Sequence, residues 1–335
     1  FGRFSESASP VAETGPDDLA AILFTSGTTG PPKGVSYGHG QFDAQVRLIR
    51  ETFSIEPGEV DLPMLPIFAL FNPALGMTTV VPEMNPGKPA QVEPARILQA
   101  IGQCGVTNSF GSPVLWKIIA AHLGKTGQRL PTLRRILMAG APVPPSLVRQ
   151  LQPHVPNARI WSPYGATECL PVSAIEGGDI LDKGLSKSQS GAGTCVGRPV
   201  AGVSIRIIRI VEGPLPRMEE TEPLPAGEIG EIIATGPTVT RSYDGLPDAT
   251  ARAKITDESG QVWHRMGDAG YIDDEGLLWF CGRIAERVMT GSGPLYTDCC
   301  EGIFNTVPGV ARSALIGLGQ APRQVPAVVI EPVPG

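Results

Sequence analysis

The chain has 335 residues, enough for about two or three domains that bury a core without disulfide staples. Only 18% of the residues are charged, while 41 glycines and 34 prolines make the chain rich in turns. The hydrophobic content of 41% argues against disorder, and the net charge of −6 excludes a broad cationic surface for nucleic acid or an anionic membrane.

The cysteine and hydropathy patterns set the expected compartment. Six cysteines occur without a C-x-x-C pair, which favours reduced thiols in a cytoplasmic protein over a metal or redox site. No apolar run approaches the roughly 18 residues that span a bilayer, and no signal peptide is present. Because the chain begins at Phe1 rather than Met, we expect a fragment, which leaves room for a lost leader.

The first half of the chain alternates between predicted strands and helices. The apolar run Leu19–Phe24 predicts a buried strand that leads into a glycine-rich loop, and residues 38–53 then have helical spacing. Further strands and helices are predicted at 60–68 (with a turn), 94–102, 106–110, 113–122, 136–139, 145–151 and 159–162. This alternation over 19–165 predicts an α/β domain with a largely parallel sheet.

The pattern changes near residue 180. The polar stretch 182–194 predicts a mobile loop, and short strands at 203–211, 229–235 and 277–281 predict a small antiparallel subdomain. The predicted fold class is α/β: a large domain of parallel or mixed sheets with helices, a small antiparallel β-subdomain, and a hinged α+β C-terminal domain. The predicted domains are 1–194, 195–283 and 284–335, the first lacking its N-terminal part and the last truncated.

The loop Thr25–Gly34 has the sequence TSGTTGPPKG and the composition of an anion cradle. Glycines let the backbone curl close to a phosphate, hydroxyls donate hydrogen bonds, and Lys33 adds a positive charge. Gly-Lys-[Ser/Thr] is absent, so the loop is not a Walker A motif. The alternative is an ordinary glycine turn between a strand and a helix.

A second motif overlaps this loop. Residues 34–38, GVSYG, match the G-x-S-x-G nucleophile elbow of α/β-hydrolases. An elbow also needs an acid and a later histidine, for which His264 is the candidate downstream. A serine hydrolase acting through Ser36 is therefore the alternative enzyme class.

A wider set of motifs carries a family resemblance. The segments TSGTTGPPKG, MAGAPVPP, YGATE, GEIGEIIATGPTVTRSY, MGDAGYIDDEGLLWF and CGR occur in the order found in the adenylate-forming superfamily of acyl-CoA synthetases, luciferases and adenylation domains. Within it, ALFNPALGMTTVVPEMNPGKPA, SFGSPVLW and LRRILMAGAPVP are most similar to the olefin-biosynthesis β-lactone synthetases, relatives of long-chain fatty-acid CoA ligases. The chain thus resembles an ATP-dependent, AMP-forming ligase.

The resemblance implies an ATP site. The residues that it assigns to ATP are Thr25, Ser26, Gly27, Thr28, Thr29, Gly30, Lys33, Gly140, Ala141, Pro142, Tyr164, Gly165, Thr167, Asp268 and Arg283. Tyr164 would stack on adenine, Asp268 would accept hydrogen bonds from the ribose hydroxyls, and Glu168 would hold Mg²⁺. The implied catalytic residues are Lys33, Thr167, Glu168 and Arg283. Taken singly, each of these residues could also have a purely structural role.

The resemblance also implies the reaction. A long-chain 2-alkyl-3-hydroxy acid would be adenylated, and its own 3-hydroxyl would then displace AMP to close a β-lactone. The alternatives are a fatty acyl-CoA ligase, which would also use CoA, and a nucleotide-binding module without catalysis. The expected partners are a lipid carboxylic acid and, as an option, other enzymes of the same lipid pathway, with peripheral membrane contact also open. Candidate lining residues for the alkyl chain are Phe68, Phe71, Phe110, Leu170, Leu70, Leu75 and Val114.

Four features depart from the family pattern. Family members have about 150 or more residues before the phosphate loop, and the chain ends before the late adenylation lysine. The segment Pro66–Ala69 lacks the histidine that many acyl-CoA synthetases have after P-x-F. Ala285 stands where the hinge residue is usually Asp or Lys, so domain rotation is expected to differ.

Overall fold

The computed structural model describes residues 12–25, 31–85 and 87–333. The strands are β1 (Leu19–Phe24), β2 (Gly34–Gly38), β3 (Val60–Pro63), β4 (Thr78–Thr79), β5 (Asn108–Gly111), β6 (Arg135–Met138), β7 (Arg159–Ala166), β8 (Cys169–Glu176), β9 (Thr194–Pro199), β10 (Ser204–Ile208), β11 (Gly230–Thr235), β12 (Lys254–Thr256), β13 (Val262–Ile272), β14 (Leu278–Arg283), β15 (Val288–Thr290), β16 (Gly293–Leu295), β17 (Val310–Leu318) and β18 (Val325–Pro332). The helices are α1 (His39–Phe53), α2 (Asn72–Leu75), α3 (Pro94–Cys104), α4 (Pro113–Thr126), α5 (Pro145–Leu151), α6 (Gly177–Asp179), α7 (Leu185–Gln189), α8 (Pro247–Ala253) and α9 (Thr297–Phe304).

A large mixed sheet organises the fold. Among the described residues it has twelve strands, in the order β10-β11-β13-β14-β9-β8-β7-β6-β5-β3-β4, with β12 paired to β13. Strands β4, β3, β5, β6 and β7 run parallel, and every pairing from β7 through β10 is antiparallel. The predicted α/β fold class with parallel and antiparallel parts is therefore confirmed. The domain boundaries at 194 and 283 stay a prediction.

The parallel strands are covered on both faces, as their continuous apolar sequences require. Along β6, Ile136 and Met138 pack in the larger core beneath α3, α4 and α5, whereas Leu137 faces a smaller aromatic core beside the end of α1. Phe110 on β5 belongs to the same smaller core. Alternate residues of each strand thus contribute to two separate cores.

Local sequence signals set the limits of the covering helices. In α4 the Ser112 hydroxyl accepts a hydrogen bond from the backbone N–H of Leu115, and Pro113 occupies the first helical position. Gly127 ends the helix with φ of 67°, a left-handed conformation that suits glycine. Between these signals, Trp116 and Ile119 are fully buried against the sheet.

Two predicted elements differ in the structure. Leu19–Phe24 forms a strand, but Leu19 and Phe24 are 60% and 69% exposed, so the prediction of burial was wrong. Within the part of the chain that the structure describes, this strand pairs with β2 alone, in a sheet apart from the large one. The loop predicted over 182–194 was also wrong for its first part, because helical turns run through residues 180–189. Ile180 anchors these turns by packing in the larger core.

The segment after β14 has the α+β composition that the fold class predicted. It contains the two-stranded sheets β15–β16 and β17–β18, and α9 packs against β17 and β14. The Glu301 side chain of α9 accepts the backbone N–H of Leu315 on β17, at 2.9 Å. Within the described ranges, no helix combines the length and apolar character that crossing a membrane requires.

A buried ion pair joins the starts of the parallel strands. Arg135 Nη1 lies 3.0 Å from Glu59 Oε2, and both side chains are less than a tenth exposed. Arg135 also donates to the backbone oxygen of Ser54 and to the Asn108 side chain. Burial alone would raise the pKa of Glu59, but the hydrogen bonds and charge of Arg135, with further donors, lower the pKa below its usual value.

We expect Arg135→Met to lower the free energy of unfolding by about 3–5 kcal/mol, because it leaves Glu59 charged and unpaired in the interior. Chemical denaturation at neutral pH measures the change. The matched control is Arg209→Met, which removes a pair with Glu222 whose two side chains are each 59% exposed. The control should leave stability nearly unchanged, because water and salt screen an exposed pair. Equal effects of the two substitutions would contradict the assignment of Arg135 as a structural anchor.

Candidate active site

A cavity of about 1430 Å³ opens at the carboxyl ends of the parallel strands. The segments that follow β6 and β7 line it, together with residues of α1, β13 and β14. In open α/β sheets this edge is where ligands bind. The predicted site residues that line the cavity are Thr25, Lys33, Phe68, Leu70, Phe71, Leu75, Phe110, Gly140, Ala141, Pro142, Tyr164, Gly165, Thr167, Glu168, Leu170, Asp268 and Arg283.

The remaining predicted residues do not all reach this cavity. Ser26, Gly27, Thr28, Thr29 and Gly30 lie outside the described residues. Val114, predicted to line an alkyl tunnel, is 52% exposed on α4 and is not part of the cavity wall.

The two ends of the glycine-rich loop are fastened to each other. The backbone N–H of Thr25 donates to the Lys33 carbonyl at 3.0 Å, and the Lys33 N–H donates to Thr25 Oγ1 at 3.1 Å. The Lys33 ammonium lies 5.1 Å from the ring centroid of Tyr243, a cation–π distance. The described ends of the loop thus present a hydroxyl and a cation to the cavity.

Ser36 does not occupy a nucleophile elbow. It lies in the middle of β2, where its N–H donates to the Ser242 carbonyl, rather than on a sharp turn between strand and helix. Ser36 is also absent from the cavity wall, whereas His264 is present there. Burial, with the nearby Lys254 charge, lowers the pKa of His264 well below its usual value. The structure therefore does not assemble the hydrolase alternative.

Asp268 and Arg283 face each other on paired strands. They are register partners of β13 and β14, and Arg283 Nη1 lies 2.8 Å from Asp268 Oδ1. The Tyr164 hydroxyl donates to Asp268 Oδ2 at 2.6 Å. Burial raises the pKa of Asp268 to about 6, even though the charge of Arg283 and the hydrogen bond from Tyr164 act to lower the pKa. Asp268 is thus a buried acid held between a phenol and a guanidinium.

Glu168 has a support that runs through two further segments. The Tyr243 hydroxyl donates to Glu168 Oε1, and the Thr240 N–H and hydroxyl both donate to the Glu168 carbonyl, at 3.0 and 3.1 Å. The Lys254 ammonium in turn donates to Thr240 Oγ1 at 3.3 Å. Burial lowers the pKa of Lys254 to about 8, against the opposing effect of the Glu168 charge. The backbone and one carboxylate oxygen of Glu168 are therefore fixed before any ligand binds.

Polar contacts tie Thr167 to β2 and Leu170 to α1. The Tyr37 hydroxyl donates to the Thr167 carbonyl, and Gln45 Nε2 donates to the Leu170 carbonyl at 3.1 Å. Burial raises the pKa of Tyr37 above its usual range, so its hydroxyl keeps its proton. These contacts hold the segment between β7 and β8 against β2 and α1.

Comparison with known proteins agrees with this arrangement. The family model described as AMP-binding enzyme matches residues 3–244. The chain belongs to the AMP-binding enzyme family. It is 51% identical to an olefin β-lactone synthetase of Stenotrophomonas maltophilia, covering 96% of this chain and 58% of that protein. It is 49% identical to an olefin β-lactone synthetase of Xanthomonas campestris pv. campestris, covering 98% of this chain and 59% of that protein.

Among solved structures, the fold matches O-succinylbenzoate coenzyme A synthetase of Bacillus subtilis in complex with ATP and magnesium. The TM-score is 0.76 at 25% identity, over 97% of this chain and 62% of that one. The chain therefore spans about three fifths of the length of the relatives that it matches. Both comparisons confirm the predicted resemblance to adenylate-forming enzymes.

Some residues of the cavity wall carry contacts that their sequence alone did not predict. Tyr243 lies inside a quoted motif, GEIGEIIATGPTVTRSY, so its position in the family pattern was a usable signal. Lys254 and Gln45 lie in none of the family motifs. Their contacts, to Thr240 and to Leu170, join residues 14 and 125 positions apart in the chain. Such pairings depend on the tertiary fold.

Asp268 should make the protein less stable as the pH rises. Its folded pKa of about 6 exceeds the unfolded value of 3.8, so the native state binds the proton more tightly and stability falls between about pH 4 and 6. We expect the free energy of unfolding of Asp268→Asn, relative to that of the wild type, to rise by about 2 kcal/mol from pH 4 to pH 7. Urea unfolding at a series of pH values measures the difference. Asp61, whose pKa burial also raises to about 6, is present in both proteins and its contribution cancels. A stability difference independent of pH would contradict the prediction.

Proposed function

We propose that the full-length protein activates a long-chain 2-alkyl-3-hydroxy acid with ATP and closes it to a β-lactone, with release of pyrophosphate and AMP. One observation carries the proposal: a single cavity joins charged residues suited to a nucleotide with a wall of aromatic and aliphatic side chains. About 50% identity to two proteins named olefin β-lactone synthetase supports the choice of product.

At the polar end, we assign ATP to the residues that the resemblance implied. Lys33 and the loop before it would contact the β,γ-phosphates, and Thr167 the α-phosphate. Tyr164 would face adenine opposite Gly140–Pro142, with Gly165 beside it. Asp268 would take the ribose hydroxyls and Arg283 the ribose or a phosphate. The pairing of Asp268 with Arg283 supports this role, because a buried carboxylate that already accepts hydrogen bonds is preorganised for hydroxyl donors.

Magnesium fits the donor set at Glu168. Within the described ranges no group of three His, Cys, Asp or Glu side chains is placed to hold a metal ion, so Glu168 would share the ion with phosphate oxygens. Mg²⁺ is commonly bound by one or two carboxylates together with substrate phosphates and water. The ion would neutralise charge on the phosphates of ATP. Glu168 is 8% exposed on the cavity wall and is held by Tyr243, which keeps its position fixed.

The chemistry would proceed in two displacements. A carboxylate oxygen of the acid bonds to the α-phosphorus, and the bond from that phosphorus to pyrophosphate breaks. The 3-hydroxyl oxygen then bonds to the acyl carbon, the acyl–phosphate bond breaks, AMP leaves with the electron pair, and the hydroxyl proton is lost. Both steps depend chiefly on positioning and charge stabilisation, which Lys33, Thr167 and Arg283 would supply.

The apolar part of the cavity would hold the alkyl chains. Phe68 and Phe110 stack with their ring centroids 3.4 Å apart, and Phe71 belongs to the same core. Leu170 joins this wall from the segment that also contains Thr167. The proposed acid would therefore run from Thr167 along the aromatic side chains. The lipid substrate leaves peripheral membrane contact and partner enzymes of the same pathway within the proposal.

The alternative is an acyl-CoA ligase, in which the thiol of CoA attacks the adenylate. The acyl-CoA ligase alternative is favoured by the fold shared with a coenzyme A synthetase, to which the chain is 25% identical. Ala285, where thioester-forming relatives have Asp or Lys, favours the lactone. The cytoplasm is the proposed compartment for either activity, because all six cysteines are unpaired thiols.

The product distinguishes the two activities. The full-length protein is incubated with ATP, Mg²⁺ and a long-chain 2-alkyl-3-hydroxy acid, with and without CoA, and the products are identified by mass spectrometry. We expect a dehydrated lactone and one AMP per acid without CoA, because the hydroxyl is intramolecular and has a high effective concentration. A thioester formed only with CoA would establish the ligase instead.

The Tyr243 hydroxyl should set the affinity for magnesium. We expect Tyr243→Phe to raise the Mg²⁺ concentration for half-maximal ATP–pyrophosphate exchange by about tenfold, because residues that orient a metal ligand typically have such effects. The ring, and with it the contact to Lys33, is retained. The matched control is Tyr271→Phe, at a tyrosine that stacks on Trp279 away from the cavity wall. An unchanged Mg²⁺ dependence in Tyr243→Phe would remove Tyr243 from the metal site.

A further inference from the structure

Gln45 lines the cavity and has a buried side-chain oxygen without a hydrogen-bond partner among the described residues. Gln45 lies on α1, is 1% exposed and forms part of the cavity wall. Its Nε2 donates to the Leu170 carbonyl at 3.1 Å and lies 3.5 Å from the Tyr37 hydroxyl oxygen. Its Oε1 is buried and has no hydrogen-bond partner among the described residues. A buried acceptor without a partner is unfavourable, so its retention points to a ligand.

The orientation of this amide follows from its neighbour. A backbone carbonyl can only accept a hydrogen bond, so the Gln45 atom that faces the Leu170 oxygen has to be the NH₂ group. Exchanging the nitrogen and oxygen would place two acceptors against each other. The carbonyl oxygen of Gln45 is therefore the atom left without a partner.

Two other buried polar groups of the cavity, Asp61 and Asp268, have partners that Gln45 Oε1 lacks. Asp61 accepts from Asn72 Nδ2 at 2.9 Å and from Asn108 Nδ2 at 2.5 Å. Asp268 Oδ1 lacks a well-aligned hydrogen bond but lies 2.8 Å from the Arg283 guanidinium. Gln45 differs from both, because its free oxygen is neutral and faces no cation in these contacts. It therefore suits a neutral donor.

The position of Gln45 selects the part of the acid that it can meet. The amide contacts Leu170 and approaches Tyr37, and the Tyr37 hydroxyl donates to the Thr167 carbonyl. Gln45 is thus linked through the Tyr37 hydroxyl to Thr167, which is assigned to the α-phosphate. It also contacts Leu170, which is assigned to the wall around the alkyl chain. The 3-hydroxyl of the acid also lies between two such parts, because it is two carbons from the carboxyl group, where the alkyl chain begins.

We propose that Gln45 Oε1 accepts the hydrogen bond of the substrate's 3-hydroxyl group and so selects 3-hydroxy acids; this inference rests on the proposed function. The amide does not titrate near neutral pH, so Gln45 binds and orients the hydroxyl without acting as a base. The bond engages the hydroxyl proton and leaves the oxygen lone pairs available to the acyl carbon.

The test compares two acids on three proteins. The acids are a long-chain 2-alkyl-3-hydroxy acid and the same acid without its hydroxyl; the proteins are full-length wild type, Gln45→Met and Gln41→Met. ATP–pyrophosphate exchange gives kcat/KM for each acid. Wild type should prefer the hydroxy acid by at least about a hundredfold, and Gln45→Met should reduce the ratio to about one, mainly by losing activity on the hydroxy acid.

Gln41→Met is the matched control, because Gln41 lies on the same helix, outside the cavity wall, and accepts the Gly38 N–H. It should keep the wild-type ratio even if it lowers stability. The same ratio in Gln45→Met as in wild type would overturn the inference, and so would a wild-type ratio near one, which needs no variant to fold. In both cases exchange with the acids would uphold the proposed adenylation. Wild-type protein inactive on both acids would refute the proposed function and this inference together.

Discussion

The corner between β7 and β8 is the constraint on which the site depends, because the parallel and antiparallel halves of the sheet meet there. The backbone carbonyls of its two residues, Thr167 and Glu168, both accept hydrogen bonds. Tyr37 on β2 donates to the Thr167 carbonyl, and Thr240, in the segment after β11, donates to the Glu168 carbonyl. Since the main chain is fixed in this way, the Thr167 and Glu168 side chains reach the cavity without having to hold the corner together.

The same corner explains why charged groups lie in the interior. Lys254 is buried on β12 behind Thr240, and its ammonium partly offsets the Glu168 carboxylate that the corner brings out of water. The carboxylate of Asp268 on β13 is likewise partly offset by the guanidinium of Arg283, its register partner on β14. Desolvation of each group costs stability. The apolar core beneath α3, α4 and α5 can bear that cost, because its strands and helices bury Trp116, Ile119 and their neighbours completely.

The sequence predicted what depends on local pattern and failed where neighbours decide. Local pattern predicted the apolar strands of the parallel sheet and the helices that begin at Pro113 and Pro145. The order of the family motifs was also evident in the sequence. The exposure of Leu19 and Phe24 was not, because an apolar run cannot show that β2 alone, among the described residues, pairs with it. The pairing of Tyr243 with Glu168 spans 75 residues, and that of Gln45 with Leu170 spans 125. Both are set by tertiary contacts rather than by motif spacing.

The distribution of polar groups along the cavity indicates how an acid would be selected. Toward the amino-terminal ends of β3 and β5, Asp61 accepts hydrogen bonds from Asn72 and Asn108, and an alkyl chain has no donor to bring to it. Chain selection there would depend on shape, and one methylene group is worth only about 1–3 kcal/mol in an apolar pocket. A site built to hydrogen-bond a hydroxyl discriminates more strongly, because the analogue without the hydroxyl leaves a buried polar group unpaired. The unpaired oxygen of Gln45 lies toward the Thr167 end, so discrimination at the head of the acid would exceed discrimination along its tail.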